Sequence, residues 1–353
     1  MTNANPIVGI GMSGGTDSSL SAYLLAEQGC EVRGFTLRMW HEPSTKFSDA
    51  HVERARGVAA KLGIAHRVVD IGPEFLARIV APFVAEYAHG RTPSPCVCCN
   101  MQVKFGLMLD LAREDGCSAL ATGHYVRTFT KPSGRIGLHR GVDGTKDQSY
   151  FLAGLTQDQL AHARFPLGEM EKKVVKAKAA ELGLVPPSQG ESQDLCFVPD
   201  GDCAAFLARQ RPDLGRPGRI VSLEGEDLGT HDGAFHYTIG QRRGLGLSGG
   251  PWYVVRTDVA RNLVVVGQRS DLMAQEVRLS GFNWVGVAPV QELRVVAQLR
   301  YNMRPVPAQL RMTGETTAVL DFAEPVSAVT PGQFAVAYLD DEVAGGGWIE
   351  EAS

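Results

Sequence analysis

The feature that most constrains the fold is a glycine-rich turn near the start of the chain, between a strand-like and a helix-like stretch. The apolar run Ile7 to Ile10 leads into Gly11-Met12-Ser13-Gly14-Gly15-Thr16-Asp17-Ser18-Ser19, and an amphipathic stretch runs from Asp17 to Gln28. Backbone N–H groups and the positive end of a helix therefore converge beyond the strand, a geometry that binds phosphate. The turn lacks the Lys-Ser/Thr ending of a Walker loop. Asp17 is expected to cap the helix or to help hold Mg²⁺.

A regular alternation of strand-like and helix-like stretches continues over residues 1–125. The β-rich runs are Ile7 to Ile10, Glu31 to Leu37, His66 to Asp70 and Ser118 to Thr122, and the amphipathic stretches are Asp17 to Gln28, Ala50 to Leu62 and Val103 to Arg113. Alternation of this kind predicts parallel strands covered by helices. We therefore expect an α/β fold with a doubly wound parallel sheet at the N-terminus.

The second half of the sequence contains two different sets of strand-like runs. Short strand-like runs lie at Arg219 to Leu223, Phe235 to Ile239, Trp252 to Thr257 and Leu263 to Gly267. Regularly spaced runs then lie at Leu293 to Tyr301, Pro307 to Met312, Thr316 to Phe322 and Gln333 to Leu339. We expect three domains: a catalytic domain over 1–205, a small central β-rich domain over 206–283 and a C-terminal β-barrel over 284–353.

Composition excludes several classes of protein. With 44% hydrophobic and 21% charged residues, the chain of 353 residues has the profile of a globular protein and not of a disordered or fibrous one. The apolar runs are far shorter than a bilayer span, and no leader pattern opens the chain, so we expect a cytoplasmic protein with no membrane partner. The net charge of −4 does not indicate a polyanion partner, although one cluster is basic: Arg164, Lys172, Lys173, Lys176 and Lys178.

Two groups of cysteines are candidates for chemistry. Cys96, Cys98 and Cys99 lie in a proline-bounded segment that precedes the predicted helix from Val103, and Cys196 follows about a hundred residues later. A thiol near a helix N-terminus has a lowered pKa, which favours the nucleophilic thiolate. Because seven cysteines in a chain without an export signal argue for reduced thiols, structural disulfides are not expected. The remaining three cysteines are interpreted as small core residues: Cys30, Cys117 and Cys203.

Several motifs, in order, carry a resemblance to known families. The string Ser13 to Ser18 resembles the signature of the ATP-pyrophosphatase family, with its adenine nucleotide alpha hydrolase-like fold. Over nearly the whole chain the sequence resembles the tRNA-specific 2-thiouridylases. The matching motifs are Gly11 to Ser19, Gly90 to Asn100 with Lys104-Phe105, Ala121 to Tyr125, Lys146 to Leu152, Cys196-Phe197, Gly240 to Gly246, Pro251 to Val255 and Thr330 to Gln333.

The resemblance implies an enzyme that uses ATP, with Mg²⁺, to adenylate the C2 oxygen of a flipped wobble uridine in tRNA. The implied ATP-binding residues are Gly11, Met12, Ser13, Gly14, Gly15, Thr16, Asp17, Ser18, Leu37 and Gly123. The implied tRNA-binding residues are Ser94, Pro95, Cys96, Lys146, Asp147, Gln148, Arg300 and Tyr301. Leu37 stands where many relatives have Met, but that contact uses the backbone.

The resemblance also implies how sulfur is delivered. Cys196 would carry a persulfide received from a cysteine desulfurase or a sulfur-relay protein. Cys99 would attack it, delivering sulfur to C2 with loss of AMP and leaving a Cys99–Cys196 disulfide.

Three alternatives remain open at the level of sequence. A branch of the family has an aspartate in place of Cys96, and the set Cys96, Cys99 and Cys196 would also suit the ligands of a [4Fe-4S] cluster with one open iron. An amide-forming synthetase would share the phosphate loop but would not need paired loop thiols. A structural zinc site of Cys96, Cys99, Cys196 and Cys203 in a non-catalytic RNA-binding protein would show no ATP turnover.

Overall fold

The structure, a computed structural model, describes residues 5–42, 49–184, 195–198 and 201–353. Three β-structures follow one another along the chain: a parallel sheet, a small mixed sheet and a closed barrel. The predicted fold class is confirmed, with a doubly wound parallel sheet, a central β-rich domain and a C-terminal β-barrel. No helix in the described ranges is long and apolar enough to cross a membrane.

The N-terminal sheet has five parallel strands in the order β3-β2-β1-β4-β7. Their bounds are Ile7–Gly11 (β1), Glu31–Arg38 (β2), Ala65–Asp70 (β3), Ala119–Ala121 (β4) and Ala163–Arg164 (β7). The central strand β1 pairs with β2 on one side and β4 on the other, so the chain winds outward in both directions from it. A crevice for ligands forms at such a reversal point, beyond the carboxyl ends of β1 and β4.

Helices cover this sheet on both faces. They are Thr16–Glu27 (α1), Ala50–Leu62 (α2), Gly72–Phe75 (α3), Ala81–Ala88 (α4), Pro95–Cys99 (α5), Met108–Glu114 (α6), Ser149–Leu152 (α7), Gln157–Ala161 (α8), Lys172–Glu181 (α9) and Cys203–Gln210 (α10). Two π-helical segments, Leu76–Val80 and Asn100–Leu107, make continuous helices of α3 with α4 and of α5 with α6. The helix predicted from Val103 therefore begins at Pro95, because proline is well suited to the first turn of a helix.

The central sheet contains Gly218–Ser222 (β8), Asp227–His231 (β9), Tyr253–Asp258 (β10) and Leu263–Gly267 (β11), in the order β10-β11-β8-β9. The strand predicted over Phe235 to Ile239 is wrong, because that segment starts with a 3₁₀ turn, Ala234–His236. Its apolar residues pack in two directions. Ala234 joins the central core, and Phe235 joins an aromatic cluster of the catalytic domain.

The barrel is closed by pairing of its first and last strands. It is built from Met273–Trp284 (β12), Glu292–Gln298 (β13), Val306–Met312 (β14), Ala318–Ser327 (β15), Phe334–Leu339 (β16) and Glu342–Ala352 (β17). Strand β12 pairs with both β15 and β17, which closes the ring. It also spans the boundary that the sequence predicts between residues 283 and 284.

A hairpin of the catalytic domain ties that domain to the barrel. Its strands, Val126–Thr130 (β5) and Ile136–Arg140 (β6), extend the barrel sheet through a pairing of His139 with Glu342. One hydrophobic cluster contains buried side chains from both units, including Leu138 and Tyr150 from the first and Phe334 from the second. The two units therefore share a core, which fixes their relative position.

Candidate functional site

The phosphate loop connects β1 to α1 and leaves the first turn of that helix open. Gly15 occupies the N-cap position with an extended backbone and, lacking a side chain, cannot cap the helix. The backbone N–H of Ser13 donates to Ser18 Oγ at 3.2 Å, and Ser18 Oγ donates to the carbonyl of Gly15 at 3.1 Å. Gly14 has φ +69°, a conformation that side chains disfavour. The loop is thus held by its own serines while its helix N-terminus faces outward, ready for an anion.

Strand β2 supports the other side of this loop. The backbone N–H of Met12 donates to the carbonyl of Phe35 at 2.7 Å, and Thr36 Oγ1 donates to the carbonyl of Met12 at 2.7 Å. Leu37 follows directly and is half-buried near the carboxyl end of β2. The predicted ATP-binding residues from Gly11 to Ser18 therefore form one segment from the end of β1 to the first turn of α1, with Leu37 on the neighbouring strand.

Gly123 brings a third segment against the loop. A Cβ atom added at Gly123 would lie 2.8 Å from Asp17 Cβ and 2.9 Å from both Asp17 C and Ser18 N. The segment after β4 therefore touches the backbone of the first turn of α1. Only glycine permits this approach, which accounts for a glycine at a site the sequence assigned to ATP.

Asp17 is already bound to neighbouring side chains. Lys172 Nζ lies 2.7 Å from both carboxylate oxygens of Asp17, and the hydroxyl of Tyr125 donates to Asp17 Oδ1 at 2.7 Å. Asp17 makes no capping hydrogen bond, so the first of its two predicted roles is not observed. The second predicted role is binding of Mg²⁺, and the carboxylate of Asp17 would have to separate from Lys172 before it could bind the ion.

The thiols gather beside an aromatic cluster. Cys96 and Cys99 belong to α5, and Cys98 and Cys99 pack against a cluster that includes Phe83 and Phe206. Phe197 inserts into the same cluster, with ring centroids 5.1 Å from Phe83 and 5.7 Å from Phe206. The ring of Phe197 thereby anchors the adjacent Cys196 next to α5. All seven cysteines, each within the described ranges, are free thiols.

Burial, and not the helix dipole, dominates the protonation of these thiols. Desolvation by surrounding protein raises the pKa of Cys96 and Cys99, and raises the pKa of Cys196 to about 12. Cys96 and Cys196 nevertheless keep solvent-accessible surface, whereas Cys99 is half-buried. The prediction that a helix N-terminus lowers the pKa of Cys99 is therefore wrong. Cys99 lies inside the continuous helix that begins at Pro95, beyond the free N–H groups of its first turn, so the helix end does not offset the effect of burial.

Lys104 opposes this effect at all three thiols. Its ammonium charge lowers the pKa of Cys96, Cys99 and Cys196 against the larger effect of burial. Lys104 lies on the π-helical segment that continues α5, and its Nζ is 3.4 Å from Nε2 of His124. The thiols are thus within the electrostatic reach of a single cation.

His124 connects the thiols to the nucleotide loop. Burial, together with Lys104, holds the pKa of His124 well below its usual value, so the ring is neutral. Nδ1 lies 2.7 Å from Thr122 Oγ1, and Nε2 faces Lys104 as an acceptor. Since Gly123 lies between Thr122 and His124, the same strand end contacts the phosphate loop and the cation beside the thiols.

A pocket of about 340 Å³ opens next to Cys96 between the catalytic domain and the barrel. Its walls include Ser94, Pro95, Tyr150, Phe151, Cys203, Tyr301 and Gln333. The rings of Phe151 and Tyr301 are 4.4 Å apart between centroids, with planes inclined by 36°. The structure thus brings together four of the residues that the sequence assigned to tRNA: Ser94, Pro95, Cys96 and Tyr301.

The barrel segment from Thr330 to Gln333 holds the entrance to the cysteine helix. Gln333 Nε2 donates to the carbonyls of Thr92 and Pro93 at 2.8 Å and 3.1 Å. The backbone N–H of Thr92 in turn donates to the carbonyl of Pro331 at 2.9 Å. This explains why a motif so far along the sequence matters for the site.

The other residues assigned to tRNA make internal contacts. Gln148 Oε1 accepts from the backbone N–H of Tyr125 at 3.0 Å. Arg300 donates to the carbonyls of Ile239 and Ala328 and to the hydroxyl of Thr330. Lys146 is half-buried beside Asp147. Roles in tRNA binding for these residues stay predictions.

Asp147 is buried and accepts four hydrogen bonds. Its donors are the backbone N–H groups of Gly141 and Ser149, the hydroxyl of Ser149 and the guanidinium of Arg140, at 2.8 to 3.2 Å. Arg140 also stacks on the ring of Tyr338 in the barrel, 3.8 Å from its centroid. The carboxylate therefore stabilises the junction between catalytic domain and barrel.

Replacing Asp147 by alanine is expected to lower the free energy of unfolding by about 2–4 kcal/mol, because buried donors lose their acceptor. Urea denaturation measures the change, and Lys146→Ala serves as the neighbouring control with a change of at most about 0.5 kcal/mol. An Asp147→Ala protein of unchanged stability that binds tRNA weakly would contradict this structural role and favour a direct tRNA contact.

The described residues contain no ready-made group of ligands for a single metal ion. No group of three or more His, Cys, Asp or Glu side chains in the described ranges is arranged to hold a metal ion. Cys96, Cys99, Cys196 and Cys203 consequently do not form the zinc site in this arrangement. The iron–sulfur alternative, whose thiols would each bind a different iron, stays a prediction.

Three site residues were missed by reasoning from the sequence. Lys172 was assigned only to a basic cluster, and Lys104 and Tyr125 appeared only within matching motifs. Lys172 and Asp17 are separated by 155 positions, so no local pattern connects them. A lysine within a run of basic residues carries no signal that distinguishes a buried side chain from an exposed one.

Comparison with known families covers nearly the whole chain. Residues 7–200 match a family described as the tRNA methyl transferase HUP domain. Residues 204–268 match the tRNA methyl transferase PRC-barrel domain, and residues 274–349 match the aminomethyltransferase beta-barrel domain. The three matched ranges follow the three β-structures.

Individual relatives are similar over their full length. A tRNA-specific 2-thiouridylase MnmA of Syntrophotalea carbinolica is 45% identical over 99% of this chain and 100% of its own. A tRNA-specific 2-thiouridylase MnmA of Methylobacterium radiotolerans is 45% identical over 96% of this chain and 92% of its own. Among solved structures, a 4-thiouridine synthetase–RNA complex with bound ATP covers 59% of this chain and 51% of its own at 17% identity, with a TM-score of 0.37, too loose a likeness to carry an argument.

Proposed function

The chain belongs to the tRNA-specific 2-thiouridylase family, and on that premise we propose how its residues carry out the reaction. It is an ATP-dependent tRNA sulfurtransferase that replaces the C2 oxygen of a uridine with sulfur. The target is the wobble uridine, flipped out of the anticodon stack so that C2 becomes accessible. The products are 2-thiouridine, AMP and pyrophosphate.

Adenylation is the first half of the reaction. The uridine C2 oxygen attacks the α-phosphorus of ATP, the bond between the α- and β-phosphates breaks, and pyrophosphate leaves. The open N-terminus of α1 and the backbone of Gly11 to Ser18 bind the phosphates, which carry negative charge throughout. Mg²⁺ would reach the site with the nucleotide, because this ion is usually held by substrate phosphates together with one or two carboxylates.

Sulfur transfer is the second half. A cysteine desulfurase or a sulfur-relay protein places a sulfane sulfur on Cys196, giving a persulfide. The thiolate of Cys99 attacks Sγ of Cys196, a disulfide forms, and hydrosulfide leaves. Hydrosulfide adds to C2, AMP departs with the former C2 oxygen, and a proton is released. A cellular thiol reductant then returns the Cys99–Cys196 disulfide to two thiols.

One observation carries this proposal. The strand end Thr122 to His124 touches the phosphate loop through Gly123 and meets Lys104, the cation beside the thiols, through His124. The nucleotide and the sulfur carriers are therefore neighbours across a single short segment. An adenylated base lying over this segment would be in reach of both.

The pocket beside Cys96 supports tRNA as the substrate. Unstacked bases of single-stranded RNA stack on aromatic side chains, and the tilted pair of Phe151 and Tyr301 offers aromatic surface at the pocket wall. Placing Tyr301 on the barrel and Cys96 on the catalytic domain lets the base touch both units at once. We assign Ser94 to Cys96 and Tyr301 to the target base.

The function is tested by a reconstituted reaction. Purified protein, tRNA transcript, ATP, Mg²⁺ and a cysteine desulfurase with cysteine should yield 2-thiouridine, detected by mass spectrometry of nucleosides, with one pyrophosphate per thiolation. Omission of ATP should abolish the product. Pyrophosphate release with ammonia or glutamine, giving an amidated product and no thiouridine, would instead establish the amide-forming alternative.

Lys104 provides a prediction for pH dependence. Because the pKa of Cys99 and Cys196 is raised by burial, alkylation by iodoacetamide should rise about tenfold with each pH unit below that pKa. Lys104→Met should raise the pKa of Cys99 and of Cys196 further, and should therefore slow alkylation of both thiols about three- to tenfold at a given pH. Peptide mass spectrometry measures each thiol separately.

Two controls accompany this measurement. Lys104→Arg keeps the positive charge and should retain most of the rate, while Cys30 provides a distant thiol whose rate should not change in either variant. Equal alkylation of Cys99 in wild type and Lys104→Met would show that Lys104 does not act on the thiols.

A further inference from the structure

An ion pair between a buried lysine and a partly exposed aspartate lies at the phosphate loop. The side chain of Lys172 is only 10% exposed, and its Nζ contacts both carboxylate oxygens of Asp17 at 2.7 Å. The hydroxyl of Tyr125 completes the group, and the Lys172 ammonium lies 5.4 Å from the centroid of the Tyr125 ring. All polar atoms of this group converge on the second residue of α1.

The location of Asp17 creates an electrostatic difficulty. It lies in the first turn of α1, the turn whose amide groups attract phosphate. An unpaired carboxylate there would repel the triphosphate that the neighbouring backbone is arranged to bind. The loop therefore needs a cation at Asp17 before it can serve as an anion site.

The backbone of Lys172 is also held in place. It begins α9, and its backbone N–H donates to Asp143 Oδ2 at 2.9 Å, which fixes the start of that helix. The next residue, Lys173, has a side chain 80% exposed and pairs with Glu171 at the surface. Of these two adjacent lysines, only Lys172 is turned into the protein toward the nucleotide loop.

We propose that Lys172 is a positioning residue for ATP: it neutralises Asp17 and holds it away from the bound phosphates, so that the first turn of α1 stays electropositive. The inference rests on the proposed function, because it assumes that ATP binds at this loop. Lys172 acts through Asp17 and makes no contact with the nucleotide itself. Tyr125 assists by fixing the orientation of the carboxylate.

The test is a double-mutant cycle on nucleotide affinity in the full-length protein. Binding of the non-cleavable analogue α,β-methylene-ATP with Mg²⁺ is measured by calorimetry for wild type, Lys172→Met, Asp17→Asn and Asp17→Asn/Lys172→Met. Lys172→Met should weaken binding about tenfold or more, since the carboxylate is left without its cation. The double variant should recover most of that loss, because the amide of asparagine carries no charge.

Lys173→Met is the matched control and should bind the analogue like wild type. Thermal unfolding of each variant shows whether it is folded at the temperature of the titration, and Lys172→Arg, which restores the charge, should regain part of the affinity of the methionine variant. Recovery in the double variant is a result that a purely structural lysine would not give.

The outcomes separate this inference from the proposed function. Unchanged affinity in folded Lys172→Met overturns the inference alone, as does a double variant no better than Lys172→Met, which would point to direct contact between lysine and phosphate. If wild type itself does not bind the analogue, the proposed function fails first.

Discussion

Replacing Cys99 by serine is expected to lower tRNA thiolation by about a thousandfold or more, because the hydroxyl is far less nucleophilic than the thiolate. Adenylation should survive, since the phosphate loop and Gly123 are untouched. The measurement pairs 2-thiouridine formation with tRNA-dependent release of pyrophosphate in the same samples. Cys196→Ser should likewise lose thiolation and keep adenylation, because it removes the sulfur atom that carries the persulfide.

Adding free sulfide tests whether the thiols serve only to deliver sulfur. If the thiols only deliver hydrosulfide to an adenylated base, millimolar sulfide should restore thiolation in Cys99→Ser and in Cys196→Ser, since the activated carbon is still made. Cys30→Ser is the control thiol and should retain wild-type activity. Substantial thiolation by Cys99→Ser with the persulfide donor would contradict the assignment and direct attention to Cys98, the neighbouring thiol of the same helix.

The sequence predicted the nucleotide half of the site better than the thiol half. The phosphate loop is a local feature, in which a strand, a glycine-rich turn and a helix are contiguous, so its geometry follows from its own residues. The pKa of Cys99 depends on what surrounds it in three dimensions. Phe197 brings a distant segment onto the cysteine helix, and the burial that results outweighs any effect of the helix end.

In the barrel, too, the sequence predicts strands with a clear local pattern and misses those that depend on contacts with distant residues. Four of its six strands were predicted from regularly spaced strand-like runs, whereas β12 and β17 were not. Strand β17 contains Gly345, Gly346 and Gly347 in its interior. A Cβ at Gly346 would clash with the ring of Phe334, so these glycines are required by close packing. A run of glycines is also typical of a loop, and the sequence alone does not distinguish the two cases.

Two of the residues that the resemblance assigned to tRNA also make contacts within the chain. Asp147 accepts a hydrogen bond from Arg140, and Arg300 donates one to the carbonyl of Ile239. Tyr301, next to Arg300, is exposed at the pocket. These two neighbours thus differ in their surroundings: the guanidinium of Arg300 is half-buried and bonded within the chain, whereas the ring of Tyr301 is exposed.

Gly123→Ala is expected to weaken ATP binding by about a hundredfold and to destabilise the fold by about 1–3 kcal/mol. The added Cβ would meet the backbone of Asp17 and Ser18 at 2.9 Å, and a helix backbone cannot turn aside as a flexible side chain would. Either the segment after β4 moves out or the first turn of α1 is displaced, and both changes spoil the phosphate site. Calorimetric titration with the ATP analogue, together with urea denaturation, measures the two effects.

Gly57→Ala supplies the matched control for this substitution. Gly57 lies in α2, where an added Cβ meets nothing within 4 Å, and alanine favours helix more than glycine does. That variant should bind ATP normally and gain about 0.5–1 kcal/mol of stability. If Gly123→Ala also bound ATP normally, the nucleotide would not depend on the close contact between the strand end and α1. The link from the phosphate loop through His124 to the thiols would then lose its main support.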